Sequence, residues 1–172
     1  MYNESCIIQI EEEPIESENM FDTNELICGD EYEWFFSSVA CNGVDEDNQF
    51  PEDTLEDFIE YLKSFGNYVE VSDDKKWVVF KEGFVQTYFE RIYPEFQETL
   101  KMLTDNISHD AFVNNDYKIW SSVLWLDKIL NGTYGAYVKT GRATILTLNR
   151  FIRDYLEQNK RYYIGGAVDY TD

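Results

Sequence analysis

Apolar residues recur at helical spacing most clearly in "PEDTLEDFIEYLKSFGN". Leu55, Phe58, Ile59 and Leu62 stand at i, i+3, i+4 and i+7. Asp53 or Thr54 can cap the start, and Gly66 suits the position just past the end. Glu56, Asp57 and Glu60 fall on the other side. This spacing predicts a helix over 54–65 with one apolar and one acidic face.

Other stretches give further elements. "CIIQI" (6–10) and "EYEWFFSSVAC" (31–41) read as strands, and "NYVEVSDDKKWVVF" (67–80) as a β-hairpin. Residues 82–106 have a helical pattern that Pro94 kinks or divides. A helix over 116–131 ends at Asn131-Gly132, and its wide stripe of Ile119, Trp120, Val123, Leu124, Leu126 and Leu130 predicts deep burial. "TYGAYVKTG" reads as a short strand or loop, "RATILTLNRFIRDYLEQNK" as a final long helix, and "RYYIGGAVDYTD" as one more strand. The pattern predicts an α+β fold. Short antiparallel strands and a hairpin in the N-terminal half pack against a mainly helical C-terminal half.

Length and composition fit that picture. The 172 residues suit a single domain, and 44% apolar with 17% aromatic content can form a packed core. No apolar run is long enough for a membrane helix. Cys6, Cys28 and Cys41 are odd in number and form no CxxC, and the N-terminus lacks the look of a secretory signal. A reducing, cytoplasmic setting is expected.

Charge changes the picture most. The formal net charge is −20, and it is unevenly spread. Residues 1–62 hold 19 of the 34 acids and no Lys or Arg, while residues 63–172 are nearly neutral. Such a surface repels nucleic acid and anionic membrane and attracts basic proteins. The last third leans basic through Lys128, Lys139, Arg142, Arg150, Arg153, Lys160 and Arg161. Arg142, Asn149, Arg150 and Arg153 could share one face of the final helix, read as a solvated face able to meet acids within the chain or in a second copy.

Catalytic signatures are weak. His109 is the only histidine, and although Asp110 follows it, a metal phosphohydrolase site needs further His and Asp ligands, so a helix-start or surface role is expected. From Asp45, "DEDNQFPEDTLE" places Asp45, Asp47, Gln49 and Glu56 at calcium-loop positions. Phe50 stands where that loop needs Gly, and Pro51 follows. "NGTYGAYVK" resembles the glycine-rich loop of protein kinases over nine residues, but the other kinase motifs are absent. Gly132 reads instead as a helix terminator. No GxSxG and no phosphate-binding loop is present. No cofactor is expected.

These features point to a non-enzymatic acidic inhibitor. It would bind a basic nucleic-acid-binding protein, a nuclease or a CRISPR or restriction effector, and block the surface that holds nucleic acid. Phage or mobile-element counter-defence proteins that mimic DNA act in this way. The expected contact residues are Glu31, Glu33, Asp45, Glu46, Asp47, Glu52, Asp53, Glu56, Asp57 and Glu60, with Tyr32, Trp34 or Tyr61 as aromatic anchors. An immunity protein against a toxin shares these electrostatics, and a carboxylate-metal enzyme is a third reading. No direct contact with nucleic acid or membrane is expected, and a homo-oligomer is compatible with the unequal halves.

Overall fold

The computed structural model describes residues 6–20, 51–114, 116–133, 135–141 and 144–169. The chain has mixed α and β content, built around one six-stranded sheet. Its strands are β1 (Cys6–Glu11), β2 (Val69–Val71), β3 (Trp77–Phe80), β4 (Tyr137–Thr140), β5 (Thr144–Thr147) and β6 (Arg161–Asp169). They lie in the order β2-β3-β6-β1-β4-β5. β1 runs parallel to β4, and the other neighbours are antiparallel.

The central strand explains its own sequence. Cys6, Ile7, Ile8, Gln9 and Ile10 are all buried. A strand covered on both faces carries a continuous apolar run instead of an alternating one. Gln9 is the polar exception. Its Nε2 donates to the carbonyl of Asn19 at 3.0 Å, and its Oε1 accepts from the backbone N–H of Gly166 at 3.3 Å. Gly165 is needed beside it, because a Cβ there would stand 2.2 Å from Gln9 Oε1.

The helices are α1 (Pro51–Lys63), α2 (Phe84–Asn106), α3 (His109–Val113), α4 (Tyr117–Asn131) and the short α5 (Leu148–Arg150), which runs into one π-helical turn, Phe151–Tyr155. The main core joins one sheet face to α1 and the first half of α2. Ile8 and Ile10, Val78 and Phe80, Val138, Leu146, Tyr162 and Ile164 come from the strands, and Phe58, Ile59, Leu62, Phe84, Tyr88 and Ile92 from the helices. Each large apolar side chain so buried stabilises the fold by roughly 1.5–3 kcal/mol.

Four local expectations are corrected. α1 begins at Pro51, so Asp53 and Thr54 lie inside its first turn instead of capping it; proline suits a first helical position because it has no N–H to leave unpaired. Pro94 does not divide residues 84–106, which form one helix. Proline in a helix interior costs about 3 kcal/mol. Burial of Ile92 on one side of it and Thr99 on the other offsets that loss.

The expected long final helix is instead β5, a short helix and a π turn. The β-branched Thr144, Ile145 and Thr147 favour the strand that pairs with β4. The Thr147 hydroxyl then caps the turn by accepting from Arg150 N. Asn149 is not on a solvated basic face: it is buried, accepts from the Tyr88 hydroxyl at 2.6 Å and donates to the Ile129 carbonyl at 2.8 Å. Finally, α4 lies where predicted and ends at Gly132 with φ 73°, but it is not deeply buried. Ile129 is its one buried apolar residue among those described, while Trp120, Val123, Leu124, Trp125 and Leu130 are exposed.

Candidate functional site

The acidic face of α1 is built by its apolar one. Phe58, Ile59 and Leu62 are buried and Leu55 packs against the core. That fixes the rotation of the helix against β6 and β2. Asp53, Glu56, Asp57 and Glu60 are consequently exposed, at i, i+3, i+4 and i+7. Arg91 secures the helix end. Its guanidinium donates to Ser64 Oγ at 2.8 Å and to the Ser64 carbonyl at 2.6 Å, and it lies 3.8 Å from the centre of the Phe65 ring.

Four carboxylates in eight residues span about 10 Å of helix. Their mean rise of about 3.5 Å per charge is close to that of one DNA strand, about one charge per 3.4 Å, and half the density of the duplex, about one per 1.7 Å. They are not equivalent. Glu56 pairs with Lys75 in the β2–β3 turn, and the hydrogen bond and charge of Lys75 hold its carboxyl below the usual range. Asp53, Asp57 and Glu60 make no ion pair among the described residues.

Of the other expected contact residues, Glu31, Glu33, Asp45, Glu46 and Asp47 lie outside the described residues, as do Tyr32 and Trp34 and the first half of the calcium-like loop. Glu52 falls on α1 by its backbone position. Tyr61 is half-buried against Phe65, with ring centres 5.3 Å apart, which limits its use as an anchor. His109 opens α3 as an exposed residue 3.7 Å from Asp110. No group of three or more His, Cys, Asp or Glu among the described residues is placed to hold a metal ion.

Two features lay beyond the residues chosen from sequence. One is a cleft of about 780 Å³ at the carboxyl ends of β1 and β4. It is lined by Glu11, Glu12, Glu13, Lys139, Tyr155 and Tyr162 among others. Glu12 bonds Lys160 at 2.9 Å, and Glu157 reaches the same ammonium at 3.2 Å, which together raise the Lys160 pKa. Beside the cleft, Glu12 of the base-free segment thus meets Lys160 of the second half of the chain. Its sequence signal was the run of three Glu directly after a strand.

The other is the outer side of α4. Tyr117, Trp120 and Leu124 share one stripe there, with the Tyr117 and Trp120 rings 5.8 Å apart. Phe112 on α3 is the most exposed large apolar residue of those described, at 73%. No helix among the described residues is long and apolar enough to cross a membrane.

Compared with protein-family models, curated proteins and solved structures, the chain matches none.

Proposed function

We propose that this protein works by binding, not by catalysis. Its acidic surface occupies the nucleic-acid-binding surface of a basic partner, a nuclease or a CRISPR or restriction effector, as a DNA-mimicking counter-defence protein would. One observation carries this reading: Asp53, Glu56, Asp57 and Glu60 stand on the solvent face of a helix whose opposite face is locked into the core. A flexible acidic tail loses conformational entropy when it binds, and a rigid row of carboxylates loses far less. The row can meet Lys and Arg side chains that otherwise hold phosphates.

The base-free segment 1–62 supplies the long-range attraction. Opposite charges speed encounter at low salt, and the effect is screened beyond about 8 Å at physiological ionic strength. Residues 53–60 then give local register.

The test is capture of partners from lysate of the source cell or its host by the tagged full chain, at low and high salt. One basic nucleic-acid-binding protein held at low salt and released at high salt is expected. Absence of any specific partner at both salts counts against the reading. A captured toxin would move it to an immunity protein with the same chemistry.

A further inference from the structure

The outer face of α4 suits a second copy of this chain. Tyr117, Trp120, Val123, Leu124 and Leu130 expose between 37% and 72% of their surface on one side of α4, and Phe112 precedes them on α3. At about 150–250 Å² for a whole large side chain, these six leave on the order of 600 Å² of mainly apolar surface in solvent. The largest apolar patch of an ordinary monomer covers about 300–600 Å². One side of a standard protein interface covers about 800 Å². A helix that is apolar nearly all round normally has cover on every side.

Charge selects the occupant. A basic partner would call for an acidic face, and α4 is neutral, with Asp116 at its cap, Lys118, Asp127 and Lys128. The order of these residues is also self-complementary about residue 122. Trp120 and Leu124 are equidistant from that point, and so are Asp116 and Lys128. Two antiparallel copies of α4 would therefore set Trp120 against Leu124 of the other chain. This is the pattern a two-fold interface demands, where every contact occurs twice. Antiparallel helices also oppose their dipoles favourably.

We propose that the protein forms a two-fold symmetric dimer through the outer faces of α4 and the adjoining α3. The dimer leaves α1 available and is independent of what the acidic surface binds.

Sedimentation velocity of the full chain from about 1 to 100 µM tests this directly. The expected result is a species of twice the 20.4 kDa chain mass at the upper end. Trp120→Asp should weaken association roughly 30-fold or more, as loss of a central aromatic contact does. Leu124→Glu should act alike, and both variants should keep the wild-type far-ultraviolet circular dichroism. Hydroxyl-radical footprinting of the unmutated chain reads the same face without a variant: Tyr117, Trp120 and Leu124 should become protected as concentration rises. A wild-type monomer at 100 µM overturns the proposal and assigns the face to another occupant, whether a different protein or the chain's own residues 21–50. Folded variants that still dimerise, or a dimer without protection at these side chains, overturn it equally.

Discussion

α1 and α4 carry the same kind of message in sequence and meet opposite fates in the fold. Both show apolar residues recurring every three to four positions. In α1 those residues are Leu55, Phe58, Ile59 and Leu62, and the last three are completely or almost completely buried. In α4 the apolar stripe is wider, yet Trp120, Val123 and Leu124 remain exposed. The difference lies outside the helices. α1 lies on the sheet, where β6 and β2 receive its apolar face. α4 packs chiefly on α2, which covers one side of it and no more. Periodicity tells which residues are able to be buried together. It does not tell how much surface is available to bury them. The same contrast separates two modes of recognition, with carboxylates turned outward on α1 and aromatics on α4.

The largest test of this contrast is loss of the α1 anchor. Phe58→Ala should destabilise the chain by about 3–5 kcal/mol in urea unfolding, because the cavity forms in a close-packed aromatic core. Trp120→Asp, measured at a concentration where the chain is monomeric, should cost clearly less, about 1–2 kcal/mol, because about half of its surface already faces solvent. If the two substitutions cost the same, the distinction between a seated and an open helix fails.

Between these lies the joint where α4 meets the core. Asn149→Ala removes the acceptor of the Tyr88 hydroxyl and the donor to the Ile129 carbonyl. About 2–3 kcal/mol should be lost in the same assay, since the Tyr88 hydroxyl and the Ile129 carbonyl each lose a buried hydrogen bond. Burial pushes the Tyr88 phenol well above its ordinary value of 10.0. Its contribution is complete below pH 10 and lost as the pH rises above that, so alkaline unfolding should begin there. Tyr88→Phe should flatten that limb.

The smallest effect belongs to the exposed ion pair on α1. Lys75 holds the Glu56 carboxyl below its ordinary value of 4.5. The stabilisation is therefore present above pH 4.5 and fades as the pH falls through the lower folded value. Lys75→Ala should soften the acid limb of the stability profile slightly, and added salt should erase the difference between the two chains.

Much of the architecture was legible because local signals agreed with the tertiary environment. The run "CIIQI" reads as a strand, the Asp-rich turn in "VSDDKKW" marks a hairpin, and Gly132 marks a helix end at positive φ. The segment 142–160 misled because Ile145, Leu148, Ile152 and Leu156 also fit a helical period. Strand pairing with β4 outweighed that weak local preference. Of the basic face, Arg150 and Arg153 are exposed as expected, but Asn149 is not part of it: an amide can serve as a buried tie between two helices, which composition does not reveal. The acidic face of α1 was legible because four carboxylates alternated with four core residues. The cleft at Glu11–Glu13 was not, because it depends on β4 and β6 arriving beside β1 from more than a hundred residues away.

The central claim is that the carboxylates of α1 make the contact with a basic partner. It is tested most directly by titrating the captured partner against the wild-type chain and E56K/D57K/E60K at two salt concentrations, after circular dichroism has shown equal folding. The account predicts a loss of affinity of about 100-fold or more for the variant, since three charge reversals turn attraction into repulsion. It also predicts a steep weakening of wild-type binding with salt. Equal affinity of the two chains at both salts would contradict it.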